Sequence, residues 1–258
     1  MPTQDTQAAP ARNCLVLGGS GALGSAVCRV LAREGARLAL TYHAHEEAAT
    51  ALARELPGSL ALPCDLRDFA GVKETVRLAA DKLGSLDALV QAAGIAGRDL
   101  FYKCVAPSNY DKLQSIEQTD FDEMLAVNTR GTLAACQAAA VSLRANGGGN
   151  IVVIGSVDGV KPLPSPVHFA TSAAALRGMV EAMSKELGNY NIRVNLVAPG
   201  ILDGGSSAKL GHEMKDAYLK HSALRRFGTM AEIAEVVAWL ALENTYVTGQ
   251  VILLDGGL

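Results

Sequence analysis

Cys14-Leu15-Val16-Leu17-Gly18-Gly19-Ser20-Gly21-Ala22-Leu23-Gly24 is the stretch whose reading decides the fold. Four apolar residues run without polar alternation into a glycine cluster, and from Ala22 the apolar positions recur at helical spacing to about residue 34. A strand with no polar face, a tight turn and a helix form the first unit of a parallel sheet covered on both faces. Glycines in the turn let the backbone approach a pyrophosphate. The opening helix adds N–H donors and the positive end of its dipole. Such a turn also occurs with no ligand to hold, so the rest of the chain must decide.

The same alternation continues outward. Apolar runs at 38–42, 60–65, 87–94, 150–156, 192–200 and 250–257 are separated by helical patterns at 45–55, 70–83, 119–145, 170–188 and 230–243. About seven strands joined by right-handed crossovers predict an α/β, Rossmann-like doubly wound parallel sheet with helices on both faces. Residues 1–12 read as a disordered tail and 13–258 as one domain, since nothing between has linker composition. No stretch resembles a leader or reaches membrane-spanning length, which predicts a cytoplasmic protein with no membrane partner. A net charge of −3 makes no case for nucleic acid and leaves small-molecule or protein partners. Cys14, Cys28, Cys64, Cys104 and Cys136 lack C-x-x-C spacing and read as reduced and structural. No His/Cys/Asp cluster has metal-ligand spacing.

In a doubly wound sheet, ligands bind beyond the carboxyl ends of the strands. Asp65 ends the third run, where its carboxylate would accept from an adenine amino group; the alternative is an N-cap for the following helix. Ala92-Ala93-Gly94 ends the fourth and is small enough to leave room for a ribose.

The turn Gly18-x-x-x-Ala22-x-Gly24, Asp65, Ala92-Ala93-Gly94, Asn128, Ser156, Pro199-Gly200 and the ending Thr248-Gly249-Gln250 through Asp255-Gly256-Gly257 together resemble the short-chain dehydrogenase/reductases. The likeness is nearest to β-ketoacyl-acyl-carrier-protein reductases and spans residues 13–258. It implies a dinucleotide site built from Gly18, Ser20, Gly21, Leu23, Gly24, Tyr42, His43, Asp65, Leu66, Ala92, Ala93, Gly94, Pro199 and Gly200. It also implies packing as homodimers or tetramers through the long helices and final strand. Tyr42 stands where an NAD-selecting acid would end the second strand, which favours NADP(H). The arginines that would hold a 2′-phosphate are replaced by Gly21 and His43, so the preference is weak. Weak NADP(H) binding and no cofactor at all both stay open.

The resemblance also implies a catalytic set in which a serine polarises a carbonyl, an asparagine supports a water chain, and a tyrosine and lysine supply and tune the proton. Ser156 and Asn128 match. Thirteen residues after Ser156 stands Phe169, and four further on stands Ala173. Threonines expected in the first turn and after Pro-Gly are Leu17 and Gly204. The basic residues that would dock an acyl carrier are absent around Asn146–Asn150 and Tyr190. Conversely, the connection over Arg98–Ser115 is about a dozen residues longer than the resemblance implies, and long loops in compact domains are often functional. It carries Tyr102, Lys103, Cys104, Tyr110 and Lys112; Tyr102 or Tyr110 is a candidate replacement acid, and a plain surface or interface loop is the alternative. His168 is a weaker acid–base candidate, with no carboxylate spaced to orient it. A hydrolase on Ser156 lacks a nucleophile elbow. Two readings follow: an atypical enzyme on a ketoacyl or polyketide-like molecule, reducing it with substitute groups or performing an isomerisation, dehydration or cyclisation, or a non-catalytic subunit in a hetero-oligomer with an active reductase.

Overall fold

The computed structural model describes residues 11–96, 113 and 116–258. Its sheet has seven parallel strands in the order β3-β2-β1-β4-β5-β6-β7. They are β1 (Asn13–Leu17), β2 (Arg37–Tyr42), β3 (Leu60–Pro63), β4 (Ala88–Gln91), β5 (Gly149–Ile154), β6 (Ile192–Pro199) and β7 (Val251–Leu254). The helices that pack on it are α1 (Ala22–Arg33), α2 (Glu46–Glu55), α3 (Phe69–Leu83), α5 (Thr132–Ala145), α6 (Val167–Leu187) and α8 (Met230–Leu242). Short α4 (Gln118–Met124) leads into α5, and α7 (His212–His221) lies over the ligand edge.

Strand residues face opposite sides in turn, so the unbroken apolar runs feed two cores. In β1, Cys14 and Val16 join the cluster under α1, α2 and α8, while Leu15 and Leu17 join the one under α3, α5 and α6. Cys14, Cys28, Cys64 and Cys136 are free and buried, and burial raises all four thiols; Cys28 and Cys136 reach about 12. Such thiols are poor nucleophiles. Buried asparagines tie the later strands together. The Asn195 amide accepts from Gln250 N–H (3.1 Å) and donates to the Val247 carbonyl (2.8 Å), and Asn150 donates to the Ala241 carbonyl at the end of α8 (3.1 Å).

The structure departs from the sequence expectations in three places. The pattern at 119–145 is not one α-helix, because Leu125–Gly131 between α4 and α5 is a π-helical segment; such segments loosen the turn and often mark functional sites. α6 starts at Val167, behind Pro166 at its N-cap, earlier than the periodicity indicated. α7 was not expected at all: its sequence HEMKDAYLKH is mostly polar and only Tyr218 is buried, so it has no apolar stripe to read.

Leu89 on β4 is wholly buried between the central strands. Leu89→Ala is expected to lower stability by about 2–5 kcal/mol, through lost burial and the cavity left behind. Urea unfolding followed by circular dichroism checks this as a fall in midpoint with unchanged slope.

Candidate active site

Among the described residues, two cavities open along the carboxyl ends of the strands. The first, of about 370 Å³, is bounded by the β1 turn, the ends of β2 and β3, and Ala92–Ile95 after β4. Gly18 has φ +75°, and a Cβ there would fall 2.7 Å from Ala93; one on Gly24 would strike the Gly18 carbonyl. The turn is thus folded onto the strand end as closely as backbone allows. α1 has no side-chain cap at Gly21 and no acid in its first turn, so its leading N–H groups remain available to an anion. This half fits the pyrophosphate and adenosine of a dinucleotide.

Arg67 enters the same cavity, and sequence reading missed it. Its Nε and Nη2 hold Asp65 in a bidentate pair (2.9 and 2.8 Å), and Nη2 also lies 3.0 Å from His43 Nε2. The guanidinium bonds pull the Asp65 carboxyl down to about 2. The N-cap alternative for Asp65 fails, because α3 is capped by Asp68, which accepts from Gly71 N–H (3.0 Å). Asp65 therefore meets any adenine with both oxygens already hydrogen-bonded to Arg67 and further lone pairs left to accept. The only sequence signal was Arg two residues after Asp.

The second cavity, of about 490 Å³, is walled by Ser156, Phe169, Pro199-Gly200 and α7. Leu23, Pro199 and Gly200, expected in the dinucleotide set, line this cavity and not the first. Ser156 caps the 3-10 turn Val157–Gly159; its Oγ donates to Asp158 Oδ2 at 2.5 Å and accepts from Asp158 N–H at 3.3 Å. Phe169 presents only hydrocarbon to the cavity wall. Ala173 is 5% exposed and lines neither cavity. α7 contributes Glu213, Met214, Ala217, Tyr218 and His221, none of which the sequence reading singled out.

Asn128 lies in the π-helical segment and is buried. Its amide clamps Ile95 after β4, accepting from the N–H and donating to the carbonyl (both 2.9 Å), and also donates to Ser172 Oγ on α6 (3.1 Å). Its carbonyl accepts from Thr132 Oγ (2.7 Å). In this arrangement its side chain joins β4, the π segment and α6. His168 is 1% exposed, has an unpartnered Nδ1 and lines neither cavity; burial holds its imidazole below the ordinary value. That removes it as an acid–base candidate. Tyr102 and Tyr110, with the rest of 97–112, lie outside the described residues, as do residues 1–10 of the expected tail.

The profile described as Enoyl-(Acyl carrier protein) reductase matches residues 19–258 of this chain. Carbonyl reductase family member 4 of Danio rerio is 36% identical over 249 residues, covering 96% of this chain and 98% of that one. The 3-oxoacyl-(acyl-carrier-protein) reductase FabG of Thermotoga maritima is 34% identical over 250 residues, covering 95% and 96%. Among solved structures, a blue fluorescent protein from a metagenomic library, in complex with NADPH, superposes with a TM-score of 0.83 at 31% identity, covering 95% of this chain and 97% of that one.

Arg67→Ala is expected to return the Asp65 carboxyl from about 2 toward its ordinary 3.8. Because the folded value is the depressed one, the pair adds stability above the unfolded value and loses it as pH falls through the folded one. A carboxyl-carbon NMR titration checks the shift. An unmoved Asp65 titration would show that Arg67 is not its cause.

Proposed function

The chain belongs to the short-chain dehydrogenase/reductase family, related to carbonyl reductases and 3-oxoacyl-acyl-carrier-protein reductases, and on that premise we propose that it acts on a ketoacyl or polyketide-like small molecule without ordinary carbonyl reduction. One observation carries this reading: Phe169 lines the same 490 Å³ cavity as Ser156, at the position where the family's proton donor is expected, and has no proton to give. Ala173 stands at the lysine position with no group to bind a ribose or tune an acid. Losing a positioned general acid typically forfeits about 10²–10⁴ in rate. Ser156 remains to polarise a carbonyl, and an apolar chain would lie against Leu163, Ile201 and Met214.

A dinucleotide would be held by the Gly18–Gly24 turn, the α1 N-terminus, Asp65 and Ala92–Gly94, and when bound would supply a hydride. Arg67 places positive charge at the adenosine end, which supports a mild preference for NADPH; Asp65 offsets much of it, and the lysine contact is absent. Binding is therefore expected to be weak.

A second reading, a non-catalytic subunit stabilising an active reductase, has one observation in its favour. Val141 on α5 and Trp239 on α8 expose 71% and 44% of their area, apolar side chains on helices of the kind through which the family resemblance implies subunits pack.

Ketones with NADPH or NADH are expected to give trace turnover, and Phe169→Tyr with Ala173→Lys is expected to raise it. A wild-type rate of about 10 s⁻¹, ordinary for an enzyme, would overturn the reading. Calorimetric titration is expected to show NADPH binding weakly and NADH more weakly still; submicromolar NADH affinity would contradict the site assignment.

A further inference from the structure

We propose that Asp158, paired with Ser156, is the catalytic base of a redox-neutral proton transfer at the carbon next to a bound carbonyl. Both side chains line the 490 Å³ cavity, and the Ser156 hydroxyl donates to Asp158 Oδ2 at 2.5 Å. The carboxylate is half-buried. The Val157–Gly159 turn sits directly on α6, and a Cβ on Gly159 would come 2.4 Å from the Ala173 carbonyl carbon. A base held this way keeps its position when substrate arrives. The other titratable groups of that wall among the described residues are Glu213, Tyr218 and His221, with no lysine or arginine, which suits an uncharged carbonyl compound.

The chemistry balances without an outside oxidant or reductant. When a substrate carbonyl oxygen takes the Ser156 O–H, Asp158 gives up the hydrogen bond it now receives, which frees Oδ2. Its Oδ then accepts the proton from the neighbouring carbon. The C–H electron pair moves toward the carbonyl as an enolate, whose oxygen keeps the Ser156 hydrogen bond. Asp158 returns the proton to the same carbon, or to the far end of a conjugated enolate, which shifts a double bond. Composition and oxidation level are unchanged. Phe169 is consistent with this, since the step needs no second proton donor.

The inference rests on the ketoacyl reading, and the test separates the two. The probe is the acetoacetyl thioester of N-acetylcysteamine in D₂O, with exchange of its C2 protons and binding followed by NMR. The wild type is expected to bind the thioester and to raise exchange about 10²–10⁴-fold over the protein-free rate. Asp158→Asn keeps an acceptor for Ser156 but no base; it is expected to bind the thioester equally and return exchange to background. Asp158→Glu is expected to restore part of the rate. If Asp158→Asn does not fold by circular dichroism, Ser156→Ala is read in its place and is expected to lower exchange at least tenfold. Binding without accelerated exchange, or exchange unaffected by these substitutions, overturns the proposal and leaves the ketoacyl reading standing. Absence of thioester binding removes the ketoacyl reading; the exchange arm is then run on cyclohexanone, where a protein-free rate overturns the proposal as well.

Discussion

Both faces of this sheet are covered, and that constraint governs where chemistry can sit. Strands whose every side chain is buried cannot carry charged groups along their length without a large desolvation penalty. β1 and β4 are apolar almost throughout and buried at every position. Polar groups of the two cavities therefore stand just past the strand ends, where Asp65 and Arg67 follow β3 and Ser156 and Asp158 follow β5, or on helices over that edge, as Glu213 does on α7. The buried amides inside, Asn128, Asn150 and Asn195, are each satisfied by backbone partners and serve as cross-links between elements.

The two cavities differ in how their charges are held. At the adenosine end, Asp65, Arg67 and His43 form an exposed cluster that already balances itself, and exposed pairs of this kind contribute little to stability. Its consequence is local: it sets what an incoming adenosine or phosphate meets. At the other end, Ser156 and Asp158 lie in an apolar wall where water competes less for their hydrogen bond. Family membership describes the frame common to both, while activity depends on the groups set into it.

α6 links the frame to that second cavity. Phe169 faces the cavity, Ser172 accepts from Asn128, and the backbone at Ala173 receives Gly159. One helix turn thus fixes the cavity wall, the π segment and the turn carrying Asp158.

The sequence alone determined the parallel sheet, its strand sequence and the glycine turn, because an unbroken apolar run, a glycine cluster and helical spacing are local patterns that only a doubly covered sheet accommodates. It also determined that Phe169 and Ala173 stand thirteen and seventeen residues after Ser156. Tertiary structure decided what the polar residues do. Arg67 reaches His43 as well as Asp65 because the β3 end lies beside the β2 end that carries His43. Asn128 clamps Ile95 because a π turn aims it there, and no local pattern distinguishes that turn from ordinary helix. α7 left no apolar stripe since one buried tyrosine anchors it, so its cavity residues became visible only in three dimensions. Burial patterns are written in sequence spacing, whereas hydrogen-bond partners between distant strand ends depend on distances that spacing does not contain.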